Sequence, residues 1–225
     1  MIKPKIIIGT PINEDKLYCW DEYLKSIKAI QGVDEIILCD TSKDGCMQER
    51  IVNAGFTYIH WYADKAMNRV VAARNMIRAY ALNSEINYLL FIDADIIAPK
   101  NIAKKLSKSE KDIITGLGII LQGIVPIPAA KILKGDTYYA FPKEKINGEV
   151  HEVDLTGLGC CLISKRILNK IRFRCERDNE GKLIKSEDHC FSLDCKDAAK
   201  RIFFDTSVVT HHRVSGKGHW DFDTA

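Results

Sequence analysis

The first half of the chain alternates short, continuous apolar runs with segments of helical periodicity. The apolar runs have the length of strands, and they are KIIIG (5–9), EIILC (35–39), TYIHW (57–61) and YLLFI (88–92). The residues that recur at helical spacing between them are Leu17, Trp20, Leu24 and Ile27, and then Val70, Ala73, Ile77 and Ala81. This alternation predicts an α/β fold in which helices flank both faces of a mostly parallel, Rossmann-like sheet.

The second half of the chain is less regular. A Gly-rich segment lies at Asp154 to Ser164, and we expect a helix from about Asp188 to Lys200 and a final strand from Arg201 to Val209. The polar and aromatic segment from Lys131 to Val150 is predicted to be a loop. Ile113 to Ala130 carries no charge and approaches the length of a membrane-spanning helix. Its glycines and prolines favour a buried strand followed by an irregular apolar loop, so we expect no transmembrane segment.

The composition is that of a single folded domain. The 225 residues are 46% hydrophobic and 28% charged, which excludes a disordered tail and a fibrous protein. A formal charge of +3 is too small to indicate a dedicated nucleic-acid-binding protein. The eight cysteines form no Cys-x-x-Cys pair. We also expect no signal peptide, because the first five residues run directly into a short apolar strand. We therefore expect a cytoplasmic protein whose cysteines are reduced and mostly packed as small hydrophobic residues.

Polar residues follow three of the predicted strands. Thr10-Pro11 follows the first strand, Asp40 the second and Asp93-Ala94-Asp95 the run YLLFI. Open parallel sheets bind ligands outside the carboxyl ends of their strands, so these residues are candidate site residues. Asp40 taken alone is equally well explained as a turn cap. The two aspartates of the third site repel each other, and a divalent cation that bridges phosphate oxygens is a common remedy.

Six segments together resemble the nucleotide-sugar-dependent glycosyltransferases of the GT-A fold, especially the family-2-like enzymes. FIDADI is similar to their Asp-x-Asp motif, and the matches span nearly the whole chain in order. The other five segments are KIIIGTP, EIILCDTSKDG, VVAARNMIRAYAL, VDLTGLGCCLISKRIL and SEDHCFSLDCKDAAKRIFFDTSVVTHH. The resemblance implies one GT-A catalytic domain over residues 1–225, with a nucleotide-binding half (1–97) and an acceptor-side half (98–225).

The resemblance also implies a donor site. Thr10 and Pro11 would line the nucleotide pocket, and Asp40 would accept a hydrogen bond from the base. Arg74 would approach the diphosphate or the sugar of a nucleotide diphosphate sugar.

A metal site is implied beside the donor. Asp95 would ligate Mn²⁺ or Mg²⁺ directly, while Asp93 would contact the ribose or the metal across Ala94. The family pattern needs one closing histidine, and this chain has two, His211 and His212. Counting along the segment, we favour His212 as the second metal ligand.

The implied catalytic residue is Asp188 in the segment SEDHCF. As general base, its carboxylate would take the proton of the acceptor hydroxyl on the face opposite the leaving diphosphate, which inverts the anomeric centre. Glu187 would support the acceptor or the base.

The resulting hypothesis is a metal-dependent, inverting glycosyltransferase that uses a nucleotide diphosphate sugar, with UDP favoured over GDP. The acceptor, whether glycan, lipid or protein, stays open, as does peripheral contact with a membrane. Most family-2-like enzymes are longer, so we expect a minimal catalytic domain or part of a longer chain. One alternative is a sugar-phosphate nucleotidyltransferase, although GTPINEDK lacks the Gly-rich basic loop of such enzymes. Another alternative is a catalytically silent relative that binds nucleotides or glycans.

Overall fold

The structure is a computed structural model that describes residues 3–122, 125–214 and 218–220. Its α-helices are α1 (Trp20–Ala29), α2 (Gln48–Asn53), α3 (Ala66–Asn83), α4 (Ile102–Lys108), α5 (Lys165–Lys170) and α6 (Glu187–Asp197). Its strands are β1 (Ile6–Ile12), β2 (Glu35–Asp40), β3 (Thr57–His60), β4 (Tyr88–Ile92), β5 (Ile96–Ile97), β6 (Ile113–Leu117), β7 (Ile119–Gln122), β8 (Val125–Pro128), β9 (Ala130–Lys134), β10 (Thr137–Ala140), β11 (Val150–Val153), β12 (Leu155–Thr156), β13 (Cys160–Ser164), β14 (Glu176–Arg177), β15 (Leu183–Lys185), β16 (Ile202–Val209), β17 (His211–Val214) and β18 (Gly218–Trp220). Two 3-10 helices cover Glu14–Cys19 and Lys143–Lys145.

Eight strands form a central sheet in the order β3-β2-β1-β4-β13-β6-β16-β11. The four strands from the first half are parallel, as the alternating pattern predicted. In the second half β13 runs antiparallel to both β4 and β6, and β11 runs antiparallel to β16. The α/β fold is therefore confirmed, and the mostly parallel sheet is confirmed only in part.

Helices cover both faces of this sheet. Side chains of α3, α5 and α6 join one buried cluster, and side chains of α1, α2 and α4 join the other. Successive residues of β4 alternate between the two clusters, with Leu89 and Phe91 in the first and Leu90 and Ile92 in the second. The apolar run YLLFI is continuous because the strand is buried on both sides.

Gly9 brings α3 close to the sheet. A Cβ atom at this position would lie 2.4 Å from Cγ2 of Ile77, so any larger residue would push the helix outward. The close approach holds α3 against β1, and α3 carries Arg74.

Three segments of the second half differ from the sequence predictions. The apolar loop expected within 113–130 is largely a two-stranded ribbon of β7 and β8, whose connecting residues 123 and 124 lie outside the described ranges. Pro126 and Pro128 are tolerated there because a two-stranded ribbon leaves one edge of β8 without a partner strand. The loop expected over 131–150 contains the β9–β10 hairpin, and the expected final strand is followed by β17 and β18.

No described helix has both the length and the apolar character needed to cross a membrane. All eight cysteines are free thiols, and six of them are buried. Their interpretation as mostly packed, reduced side chains is confirmed.

Candidate active site

Two adjoining cavities open at the carboxyl ends of the parallel strands. The first cavity has a volume of about 270 Å³ and is lined by the end of β1, by Thr41 after β2 and by the start of α3. The second cavity has a volume of about 150 Å³ and is lined by glycines of 116–118 and 157–159 and by Asp188. The residues common to both linings, called the shared wall below, are Arg74, Asp93, Asp95 and Glu187.

Arg74 joins the shared wall from α3. Its side chain is 2% exposed, and Nη2 donates to Oδ1 of Asp93 at 3.0 Å while Nε donates to Oε1 of Glu187 at 3.3 Å. Burial alone would lower the pKa of Arg74, but these two carboxylates more than offset it and raise the pKa above its ordinary value. Nη1 is buried and has no hydrogen-bond partner within the described ranges. One charged donor therefore stays unpaired at the wall.

Asp95 and His212 meet because two short strands pair. β5 lies directly after Asp95 and is antiparallel to β17, which sets His212 opposite Ile96. Nε2 of His212 then lies 3.3 Å from Oδ2 of Asp95. Neighbouring residues of a strand project to opposite faces, so His211 projects away from this carboxylate. The structure thus brings His212, the favoured histidine, to the Asp-x-Asp turn.

Lys16 also contacts Asp95. Its Nζ lies 2.5 Å from the same Oδ2 atom. Burial by itself would raise the pKa of Asp95, but the hydrogen bond from His212 and the charge of Lys16 outweigh it and hold the pKa at about 2. The same hydrogen bond raises the pKa of His212 above its ordinary value. Asp95 is therefore held as a carboxylate by its contacts with Lys16 and His212.

The side chains around Asp95 supply some, but not all, of the ligands that a divalent cation needs. Within the described ranges no three His, Cys, Asp or Glu side chains converge, and Asp93 is engaged by Arg74. An oxygen and a nitrogen 3.3 Å apart do match two adjacent positions around such an ion. Nδ1 of His212 lies 3.1 Å from the carbonyl oxygen of Ile119, so with a proton on Nδ1 the ring could offer Nε2 to a metal once Nε2 has lost the proton that it shares with Asp95. Mg²⁺ in proteins commonly completes such a small donor set with water and substrate phosphate.

Glu187 and Asp188 begin α6, yet their surroundings differ. Glu187 is buried against Arg74, and burial raises the pKa of its carboxyl group although Arg74 opposes the shift. Asp188 lines the second cavity, where its Oδ1 accepts a hydrogen bond from the backbone N–H of His189 at 2.7 Å and another from the hydroxyl of Ser186. Its Oδ2 accepts no hydrogen bond from any described residue. Asp188 thus lines the cavity with a carboxylate that is held at Oδ1 and has no described hydrogen-bond partner at Oδ2.

The remaining site residues divide into two groups. Pro11 and Ala94 line the first cavity. Thr10 does not, because its buried hydroxyl donates to the carbonyl oxygen of Ile92 at 2.7 Å and pairs with the hydroxyl of Tyr23. Asp40 is also fully buried and lies outside both cavity linings. Thr10 and Asp40 thus have structural hydrogen-bond partners, and the pocket roles that the resemblance implies for them stay predictions.

Asp40 holds the loop that follows β2. Its carboxylate accepts hydrogen bonds from the backbone N–H groups of Ser42 at 2.9 Å and Met47 at 3.0 Å. We expect Asp40→Ala to lower the free energy of unfolding by about 2–4 kcal/mol, since two buried amides lose a charged acceptor. Urea denaturation measures this loss. The control is Asp44→Ala in the same loop, an exposed position expected to change stability by less than about 0.5 kcal/mol. Equal stability of the two variants would contradict the turn-cap role.

Lys16 is the site residue that the sequence analysis missed. It lies in the 3-10 helix Glu14–Cys19. The spacing of apolar residues in this segment predicts a helix but assigns no role to a lysine. A usable signal was present, because Lys16 is a cation soon after the carboxyl end of the first strand, on the side where the carboxylates lie.

The comparisons with known proteins concern the fold. No protein-family model and no curated protein sequence matches the chain. Among solved structures, A197 from STIV is 16% identical, with a TM-score of 0.54 over 94% of this chain and 86% of that chain. TarS from S. aureus is 17% identical, with a TM-score of 0.57 over 96% of this chain. This chain spans 36% of the TarS chain. At these identities the likeness shows the fold alone, which is a mixed α/β domain built on a large central sheet.

Proposed function

We propose that the protein is a glycosyltransferase that moves a sugar from a nucleotide diphosphate sugar, with a UDP-sugar favoured, to an acceptor hydroxyl. The observation that carries the proposal is the shared wall, where two cavities meet at four charged side chains. A donor in the first cavity and an acceptor in the second would bring their reacting atoms together at this wall. The GT-A-like fold supports the same conclusion.

The first cavity is the proposed donor site. Arg74 would offer its guanidinium group and Lys16 its ammonium group, and cationic donors of this kind form strong hydrogen bonds to phosphate. Asp95 and His212 would hold Mn²⁺ or Mg²⁺. When bound, the ion supplies Lewis-acid stabilisation of the negative charge that grows on the departing diphosphate.

The second cavity is the proposed acceptor site. Oδ2 of Asp188 would take the proton of the acceptor hydroxyl as the oxygen attacks an oxocarbenium-like anomeric carbon. Attack from the face opposite the diphosphate inverts that centre. Glu187 would act through Arg74 as a positioning residue, since its carboxylate is engaged in the ion pair. Gly159 keeps the wall open, because a Cβ atom there would lie 3.0 Å from Oδ2 of Asp93.

The test of donor and metal binding is calorimetric. We expect Mn²⁺ to strengthen the binding of UDP by about tenfold or more, and Asp95→Ala to abolish that gain, because the variant loses the anionic metal ligand. Asp21→Ala, an exposed carboxylate on α1, is the matched control and should keep the gain. Binding of equal strength with and without Mn²⁺ would contradict the metal site. GDP titrated in parallel decides between the two bases.

A product assay separates the proposal from its two alternatives. A glycosyltransferase supplied with donor and acceptor releases free nucleoside diphosphate, and a sugar-phosphate nucleotidyltransferase supplied with a nucleoside triphosphate and a sugar phosphate releases pyrophosphate. A silent binding relative releases neither.

A further inference from the structure

Lys16 occupies the position beside the Asp95 carboxylate to which an incoming cation would be attracted. Its Nζ lies 2.5 Å from Oδ2 of Asp95, and that atom also faces Nε2 of His212. The lysine side chain is one-third exposed, whereas the carboxylate is 12% exposed. The lysine is therefore the more exposed member of the ion pair.

The backbone that carries Lys16 is anchored on both sides of the Asp95–His212 pair. The hydroxyl of Tyr18 donates to the carbonyl oxygen of Arg213 at 3.0 Å, and Sγ of Cys19 donates to that of Ala94 at 3.3 Å. Because the 3-10 helix is tied at both points, a change in the position of Nζ requires rotation of the lysine side chain alone. Four methylene groups give that side chain the freedom to turn.

Lys16 and a divalent cation compete for the same oxygen. An ion bound to Oδ2 at the usual distance of about 2.1 Å would lie within roughly 4.6 Å of Nζ in its present position. Two cations so close in a partly buried site repel each other strongly. A metal can therefore bind here at full strength only after Nζ has moved.

We propose that Lys16 is an exchangeable cation of the donor site, which neutralises Asp95 before the donor binds and moves to the diphosphate when a divalent ion replaces it. This inference rests on the proposed function. Lys16 lines the first cavity, so a diphosphate there would come within its reach. A diphosphate also brings the negative charge that both cations need, whereas a metal ion alone brings only repulsion.

The inference predicts opposite effects of one substitution on two ligands. Without nucleotide, Lys16→Met should bind Mn²⁺ about tenfold more tightly than the unaltered protein, as measured by electron paramagnetic resonance of free Mn²⁺, because the competing charge is gone. With saturating Mn²⁺, the same variant should bind UDP about tenfold more weakly in calorimetry, because a phosphate contact is lost. Binding of uridine, which has no phosphate, should not change.

The matched control is Lys25→Met, which removes an exposed positive charge from α1 without contact to Asp95. It should leave both affinities within about twofold of the starting values. Lys16→Gln, whose end group stays polar, repeats both titrations and decides the question if the methionine variant does not fold.

The outcomes separate the inference from the proposed function. If the Lys16–Asp95 ion pair is purely structural, Lys16→Met changes thermal stability but leaves the affinities for Mn²⁺ and UDP as in the control. That result overturns the inference and leaves the proposed function standing. Absence of Mn²⁺ binding by every variant also overturns it. Failure of the unaltered protein to bind UDP or GDP with Mn²⁺ overturns the proposed function, and the role of Lys16 at the diphosphate with it.

Discussion

Asp188→Asn is expected to lower the rate of glycosyl transfer by about 10²–10⁴-fold while the fold and the donor affinity stay close to native. The amide keeps the shape of the carboxylate, and its oxygen can still accept the hydrogen bond from the N–H of His189. It cannot take a proton from an acceptor hydroxyl. The loss should therefore appear in turnover and not in binding.

A structural role for Asp188 would give a different result. An acidic residue in the first turn of α6 is worth about 0.3–1 kcal/mol through the helix dipole, and its loss would appear as reduced stability. Transfer rates, donor affinity by calorimetry and urea denaturation should be measured on the same samples. The control is Asp197→Asn, an exposed position at the other end of α6. Turnover within about tenfold of the unaltered protein would contradict the assignment of Asp188 as base, and Glu187 would be examined next.

Arg74→Met is expected to lower the free energy of unfolding by about 3–5 kcal/mol and to abolish nucleotide binding. The guanidinium pairs with Asp93 and Glu187 while almost completely buried. Methionine fills much of the volume but leaves both carboxylates without their cation. Removing one partner of a buried ion pair lowers stability more than replacing the whole pair by apolar residues. The charge that remains is then buried without water and without its partner.

Urea denaturation at neutral pH measures this effect. Arg172→Met, an exposed arginine, is the matched control and should change stability by less than about 0.5 kcal/mol. The double variant Arg74→Met with Glu187→Gln removes one stranded charge and should recover part of the loss. A single variant as stable as the control would show that the shared wall is not held together by Arg74.

Strong, local patterns account for the part of the fold that could be predicted from the sequence. Tyr88–Ile92 was predicted with its observed bounds, and the residues at helical spacing from Val70 to Ala81 lie on α3 (Ala66–Asn83). These elements are buried over several residues in succession, so their periodicity is visible without any knowledge of their partners. The β5–β17 pair could not be predicted in this way. A strand of two residues has no period, and its partner lies more than a hundred positions away.

The same limit applies to the placement of the candidate site residues. Asp93, Asp95 and Arg74 lie next to or on strongly patterned elements, and the structure brings them together. Whether a residue at a strand end faces the cavity or the core depends on hydrogen-bond partners distant in sequence. Thr10 finds its partner 82 positions away at Ile92, and Asp40 turns toward its own loop. Lys16 was overlooked because its partner Asp95 is 79 positions away.

The antiparallel strand β13 has a consequence for synthesis of the protein on the ribosome. It inserts between β4 and β6, so the two halves of the chain share one hydrogen-bonded sheet. One side of β4 has no partner strand until Ser164 has been made, a delay of roughly 4–14 s at about 5–20 residues per second. During that interval the nascent chain presents an apolar strand edge, which is a template for aggregation. A truncated chain that ends before β13 would keep this edge permanently, so the first half is a poor choice for separate expression.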